Sequence, residues 1–504
     1  MNEIQHSTIS VLAPSIPNRN ALILPGGGLR VAYQAGAVQA LYDAGLRFSY
    51  LGASSSGTLN LAALLSGVWP SELCRRWREL PVRPLAAAFG LPWREDGADF
   101  DKIERALFAP LGIDIAHLRQ AQGVEARFMI GDAQAKSVFP MPPEAMTREL
   151  LLGAASLPFL TPPLSQNGWL WTDAAWLREC DLQAAVRSGA NRLWVVWSHG
   201  GALRLDTGLL DHYMQMIEMS MIARLKAELD AIAEINTRIA AGEAPFGYCE
   251  PIEVTLITPE QPLPRDPDFL SGRIDAAALI AYGYRDARRV FMRGAPSPLD
   301  DRATTLREPS EGLRFREVMR GRICFGETDP ERGYASEAAM PVSLHGVIDI
   351  GDTAAFVADP AHEGELSGHL EAHRLGGWLP ATSGRFGLFT PSGEAGLYHM
   401  LYGMNILIEG RSYYFDGRKQ VRIAAPWQLW RATTTLYVQL REGNANGAVV
   451  AAGQLHLGAK ELFDLLSTLQ AVGCRSRLAR WRSLWRFLRV FSSELIRIYV
   501  LRRG

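Results

Sequence analysis

Three short segments carry residue types that could act together on an ester. The first, Gly26-Gly27-Gly28-Leu29-Arg30, follows the apolar run Ala21–Leu24 and precedes a helical pattern. Consecutive glycines allow a tight turn and bring bare N–H groups close to a ligand oxygen at a helix N-terminus, as an oxyanion hole requires. The other reading is a packing turn. A dinucleotide fingerprint would need glycine where Val31 stands, and a phosphate-binding P-loop would need a lysine. The second segment, Gly52-Ala53-Ser54-Ser55-Ser56-Gly57, again leads from a strand into a helix. A nucleophile elbow sets a serine on a sharp turn with small residues two places to either side. Ser55 meets this with Ala53 and Gly57, whereas Ser54 would put Ser56 in the glycine place; the bland alternative is a solvated serine loop. In the third segment, Thr172-Asp173-Ala174-Ala175, the aspartate taken alone reads as a helix N-cap. Taken together, all three lie at carboxyl ends of strands, where ligands bind in open α/β sheets.

The elements that must hold these residues are legible as a pattern. Ala21–Leu24 and Phe48–Gly52 read as buried strands, each followed by a helix, the first stopped by Gly45 and the second covering Thr58–Leu65. Strand, turn and helix repeated within about 50 residues mean an α/β sheet. Further strands are expected at Trp169–Thr172, Leu193–Trp197 and Ile252–Ile257. Helices are expected near Asp181–Ser188, over Leu209–Ala241 with Met214, Ile217, Met221, Leu225, Leu229 and Ile232 at helical spacing, and through Arg273–Arg289. Beyond about residue 300 the texture becomes strand-like, with expected strands at Val342–Ile350, Leu366–Arg374, Tyr398–Ile408, Arg411–Arg422, Thr433–Arg441 and Ala448–Leu457, and a hairpin turn at Glu409-Gly410. The expected organisation is therefore an α/β domain over residues 20–295, a β-rich domain over 335–470, and a basic amphipathic helix over 475–504.

The run Leu24-Pro-Gly-Gly-Gly-Leu-Arg30, the elbow Ala53-Ser-Ser55-Ser-Gly-Thr-Leu-Asn60 and Asp173-Ala-Ala175 resemble the three signatures of patatin-like phospholipases. Ala154-Ala-Ser-Leu-Pro158 through Pro162-Pro163, and Tyr282-Gly-Tyr-Arg-Asp-Ala287, are similar to further segments of that family. Val31, Ala53 and Ala174 depart from it where glycine is usual. The resemblance implies a three-layer α/β/α domain with a central, mostly parallel sheet. It also implies a Ser–Asp dyad in which Ser55 attacks an ester carbonyl while Asp173 takes its proton and later activates water. Gly26, Gly27 and Gly28 would form the oxyanion hole. An aspartate titrates near 3.9 in water, so partial desolvation would make Asp173 a better base. Arg30 would brace the loop or meet a lipid phosphate; the other reading is a plain surface arginine. A rival is a Ser–His–Asp triad, since Ser55, Asp173 and His199 follow one another in the order of α/β-hydrolases. A rival of another class is a non-catalytic lipid-binding protein. The segments Gly410–Lys419 and Trp430–Tyr437 resemble an accessory segment of cholesterol-oxidase-like flavoproteins, which would imply handling of a lipid or sterol-like molecule. No flavin fingerprint accompanies them, and neither cofactor nor metal is expected.

Composition narrows the classes. The chain has 504 residues, 48% hydrophobic and 21% charged, with a net charge of −1, which excludes disordered and collagen-like chains and disfavours a generic nucleic-acid binder. The five cysteines are odd in number and scattered, without the spacing of a disulfide framework or zinc site, so a reducing, cytoplasmic compartment is expected. The uncharged stretch Leu150–Thr172 is long enough to span a bilayer, but Pro158, Pro162, Pro163 and its polar residues argue against it. No secretory signal is visible at Met1–Asn20. Residues 475–504 hold nine arginines, one glutamate and no lysine, a net +8 beside a −9 remainder. Leu478, Trp481, Trp485, Leu488, Leu495 and Tyr499 recur at helical spacing there. That combination suits peripheral contact with an anionic membrane; the other reading is a helix docked on the β-rich domain. The expected partners are a lipid or ester substrate and a membrane surface, and no nucleic acid.

Overall fold

A computed structural model describes residues 19–81, 99–157, 161–178, 180–199, 209–259, 263, 275–293, 310–394, 396–422, 433–474 and 476–499. The expectations placed on residues 1–18, Pro158, Arg273, Trp430, Arg475 and residues 500–504 lie outside these. The chain divides into two compact units, Met1–Gly201 with Thr207–Leu306, and Ala202–Asp206 with Arg307–Gly504.

The first unit is built on an eight-stranded sheet. Its strands are β1 (Asn20–Leu24), β2 (Tyr50–Ser54), β3 (Glu125–Asp132), β4 (Ser137–Met141), β5 (Leu164–Gln166), β6 (Trp169–Thr172), β7 (Arg192–Val196) and β8 (Glu253–Ile257). They lie in the order β5-β6-β3-β2-β1-β7-β8, with β4 pairing on β3. The run from β3 to β8 is parallel, and β4, β5 and β6 join antiparallel. Every residue of β1 and β2 is buried, as continuous apolar runs covered on both faces must be. The register decides where chemistry can sit: Leu24 pairs with Ala53, so the glycine loop after β1 and the serine turn after β2 leave the sheet side by side.

Helices α1 (Ala32–Asp43), α2 (Gly57–Leu65), α3 (Leu209–Ala240) and α4 (Ala276–Arg293) cover this sheet. Gly45, at φ 83°, ends the turn after α1. The expected stripe on α3 is the buried one, with Ile217, Met221, Leu225, Leu229 and Ile232 packed into the core beside β7. Helices α1 and α4 cross at glycines: a Cβ on Gly36 would stand 2.0 Å from the Ile280 carbonyl oxygen, and one on Gly283 1.9 Å from that of Tyr33. Gly283 sits in the Tyr282–Ala287 motif, whose Asp286 accepts a hydrogen bond from Tyr33 Oη at 3.1 Å. That motif is therefore a helix-packing device.

The second unit is a barrel. Strands β9 (Gly312–Phe325), β10 (Met340–Ile350), β11 (Glu363–Ala372), β12 (Gly377–Pro391), β13 (Leu397–Ile408), β14 (Arg411–Arg422), β15 (Thr435–Glu442) and β16 (Val449–His456) pair antiparallel in sequence order, and β16 returns to β9. A short β17 (Gln470–Val472) adds to the first residues of β9. Closure removes the sheet edges. Glu409 and Gly410 make the expected hairpin turn, at φ 49° and 78°, the left-handed pair that a two-residue hairpin needs. Helices α5 (Ala459–Thr468) and α6 (Arg477–Tyr499) complete the unit. Phe487 of α6 belongs to the barrel's buried core, with Phe491 packed against it. The basic C-terminal helix is thus part of this unit, docked through one face.

Among the described residues no helix is long and apolar enough to cross a membrane. The stretch Leu150–Thr172 instead holds the end of a short helix (Arg148–Ala154) and the strands β5 and β6.

Candidate active site

The serine turn after β2 is strained. Ser55 is buried at φ 49°, a left-handed backbone that a non-glycine residue adopts only where its surroundings enforce it. The enforcement comes from both sides. The Ser55 carbonyl accepts from the Thr58 N–H at 3.1 Å and from Thr58 Oγ1 at 2.5 Å. A Cβ on Gly57 would lie 2.1 Å from the Leu24 carbonyl oxygen, so only glycine lets α2 start this close to the end of β1. The hydroxyl of Ser55 then donates to Asp173 Oδ2 at 2.5 Å.

Asp173 is held by the strand end that precedes it. Its N–H and the Thr172 hydroxyl donate to the Ser156 carbonyl at 3.0 and 2.9 Å, which gives the Ala154–Ser156 segment its role. The two carboxylate oxygens divide the two readings of this residue: Oδ1 accepts from the Ala175 N–H at 2.8 Å, as a capping aspartate does, while Oδ2 binds Ser55. Burial pushes the Asp173 carboxyl up to about 6, against the opposing hydrogen bonds from Ser55 and Ala175. A carboxylate so poised is an effective base near neutrality.

The glycine loop approaches the same point. Gly27 N–H donates to Ser56 Oγ at 3.2 Å, and Gly28 opens a short 3₁₀ turn at φ 61°. Arg30 is 4% exposed; its Nε donates to the Gly27 carbonyl at 2.9 Å, and its terminal nitrogens reach His199 Nδ1 at 3.2 Å and Glu218 at 3.4 Å. Arg30 is thus enclosed against the glycine loop and does not stand on the surface. Because Arg30 fixes the Gly27 carbonyl, a planar trans peptide turns the Gly28 N–H to the opposite side.

His199 is part of this brace. Accepting from Arg30 at Nδ1, it carries its proton on Nε2, which donates to the Gly26 carbonyl at 3.1 Å. Burial, with the Arg30 charge, lowers its pKa and keeps the ring neutral. It is bonded to the loop and not to Ser55 or Asp173, so the triad order in the sequence does not correspond to a triad in space. Ser198 Oγ donates to the same Gly26 carbonyl at 3.2 Å.

Residues 22–186 match the family model described as patatin-like phospholipase. This stretch is similar to a patatin-like domain. The match takes in the glycine loop, the serine turn and Asp173, and implies lipid ester hydrolysis. A crystal structure of VipD from Legionella pneumophila is similar at 12% identity, covering 55% of this chain and 67% of VipD, with a TM-score of 0.30. No curated protein matches the chain.

Several residues that support this arrangement escape a reading of local motifs. Gln34 Nε2 donates to the Pro25 and Val196 carbonyls at 2.5 and 3.3 Å, tying the loop to β7. Asn60 donates to Gln34 Oε1 at 3.0 Å and accepts from Trp77 Nε1 at 2.7 Å, so a buried polar chain runs beneath the loop. Glu218 reaches Arg30 from α3, 188 residues away in sequence. Only their polarity within apolar stretches could have flagged Gln34 and Asn60. Among the described residues no group of His, Cys, Asp or Glu is arranged to hold a metal.

Proposed function

We propose that Ser55 and Asp173 are the nucleophile and general base of a serine acyl hydrolase acting on lipid carboxylic esters. The observation that carries this is the 2.5 Å Ser55–Asp173 hydrogen bond made by a serine held at φ 49°. Ser55 Oγ attacks the ester carbonyl and its proton passes to Asp173 Oδ2. The Gly28 N–H, one of the helix-start donors that lack an intrahelical acceptor, holds the developing oxyanion, with Gly27 N–H released from Ser56 as the second donor. Asp173 returns the proton to the leaving alcohol, leaving an acyl-Ser55. Water then gives a proton to Asp173, attacks the acyl carbon and frees the acid, and the proton goes back to Ser55. Each donor of this kind is worth about 10²–10³ in rate. A fluorophosphonate probe tests the reading on the intact protein: it is expected to label Ser55 and to lose that label in Ser55→Ala. A folded wild-type chain that stays unlabelled, with no ester cleaved in the presence or absence of lipid, would leave a non-catalytic lipid-binding protein.

We infer further that α6 brings the protein to anionic membranes as a peripheral contact. Its outer face exposes Leu478, Trp481 and Trp485, with Arg489 over the Trp485 ring at 5.1 Å. Arg482 and Arg486 both pair with Glu311 of their own unit, so part of the helix's positive charge is balanced within that unit. Each arginine near an anionic surface contributes about 1 kcal/mol. Trp481→Ala with Trp485→Ala is expected to weaken co-sedimentation with anionic vesicles by about tenfold or more, while short-chain ester turnover is unchanged. Equal binding of the double variant would remove the membrane role from this face.

A further inference from the structure

An eight-stranded barrel is just wide enough to be filled by its own side chains or to hold one small ligand. Here the interior is not filled. A cavity of about 510 Å³ remains inside the second unit, within the range of about 300–1,000 Å³ usual for small-molecule sites. Phe315 and Met400 of the barrel wall, Leu462 and Leu465 of α5, and Phe487 and Phe491 of α6 make its lining apolar. It reaches the surface between α5 and α6, because Leu466 and Leu488 line it and are yet 57% and 43% exposed.

Three polar side chains meet inside it, each no more than 3% exposed: Glu317, Tyr402 and Lys419. Tyr402 Oη donates to Glu317 Oε2 at 2.6 Å and Lys419 Nζ donates to Oε1 at 2.5 Å. The ammonium also stands 5.0 Å from the centre of the Tyr402 ring. Both carboxylate oxygens and the phenol proton are thereby used. Lys419 has three N–H donors and gives one to Glu317; the other two have no acceptor among the described residues. Thr433 and Thr434 are the remaining polar groups of the lining. Buried donors of a charged group are costly to leave unmatched, and a charged pair costs more to bury than apolar residues of the same volume. A barrel interior that retains one at the wall of an open apolar cavity is built to meet an oxygen atom there.

The charge balance selects the kind of oxygen. Lys419 and Glu317 together are neutral. A carboxylate ligand would add a buried negative charge with no counter-ion, whereas a hydroxyl or carbonyl oxygen accepts the free N–H groups at no such penalty. We propose that the barrel binds a neutral, single-chain lipid whose alcohol or carbonyl oxygen accepts from Lys419 and whose chain fills the cavity. The lipid enters between α5 and α6, where the exposed Leu466 and Leu488 give the chain an apolar path. This site belongs to the second unit alone and stands or falls independently of hydrolysis at Ser55.

Displacement of the neutral fluorophore N-phenyl-1-naphthylamine from the full chain tests it, with 1-dodecanol and ionised dodecanoate as competitors and Ser55→Ala as a parallel background. Dodecanol is expected to bind at least about tenfold more tightly than dodecanoate. Glu317→Gln leaves Lys419 as an unbalanced cation and is expected to reverse the order. The double variant Glu317→Gln/Lys419→Met is neutral, avoids an orphaned charge, and is expected to bind both weakly and without preference. Leu465→Trp, which fills the cavity, is expected to abolish fluorophore binding with the thermal midpoint kept or raised. Dodecanoate binding as tightly as dodecanol in the wild type, an order unmoved by Glu317→Gln, or fluorophore binding that survives Leu465→Trp would each overturn the proposal.

Discussion

Asp173→Asn is expected to lower ester turnover by about 10²–10⁴-fold while making the folded protein more stable above pH 6. Both effects come from the same burial. The Asp173 carboxyl is pushed up to about 6 from 3.8, chiefly by desolvation, so the folded chain holds this proton more tightly than the unfolded one. Below about pH 4 the group is protonated in both states and no penalty exists. As pH rises through 6 the buried group ionises, and stability falls relative to acid by about 3 kcal/mol, order of magnitude. Asparagine carries no charge to bury, and its carbonyl oxygen can still accept from the Ala175 N–H, so the variant loses that pH dependence together with the base. Wild-type kcat/KM is expected to rise with pH through about 6, because the proton acceptor must be ionised. Urea denaturation below and above that pH, on both proteins, reads the stability term. The contrast is His199→Gln, which keeps an N–H for the Gly26 carbonyl and is expected to retain most turnover. Equal losses in the two variants would return the histidine to the chemistry.

What the sequence makes legible here is what local periodicity and local turn chemistry encode. β1, β2, α2 and the buried face of α3 follow from apolar runs and helical spacing, and Ser55 follows from its small neighbours. The elements that escape have mixed patterns. β9 alternates Arg314, Arg316, Arg320 and Arg322 with its inward residues Leu313, Phe315, Met319 and Ile323, but Glu317 stands in the inward row and Gly321 interrupts it. The inward glutamate that blurs the alternation is the one that meets Lys419. β12 contains Pro380, Gly384 and Gly387, which read as turns and in the barrel accompany irregularities in its pairing with β11 and β13. Without those two strands the eight cannot be seen to close, so the strand-rich texture was visible and the barrel was not. Arg30 and His199 show the same limit at the site: one could be a surface cation and the other a catalytic base until their partner Glu218, 188 residues from Arg30, is brought alongside both.

Gly57→Ala is expected to leave a folded but nearly inactive protein, and the reason separates two glycines of one motif. A Cβ at position 57 would stand 2.1 Å from the Leu24 carbonyl oxygen and 2.7 Å from that of Pro25. Both atoms are backbone at the end of β1, which is paired on both sides, so no side chain can swing away. The strand end or the start of α2 must move, at about 1–3 kcal/mol for overpacking of this kind. That seam is where the parts of the proposed site meet: β1 leads into Gly26–Gly28, and α2 begins two residues after Ser55. Pushing them apart lengthens the distance from the oxyanion donors to the nucleophile, and a displacement of about 1 Å costs on the order of 10²-fold in rate. At Gly52, five residues earlier, the nearest atom to a new Cβ is the end of the Ile23 side chain at 3.0 Å, which can rotate. Gly52→Ala is therefore expected to stay within a few-fold of wild type in kcat/KM. Thermal midpoints and turnover of the two variants, measured side by side, check the argument. Full activity in Gly57→Ala would mean that the close approach of β1 to α2 is not what holds the oxyanion donors against Ser55.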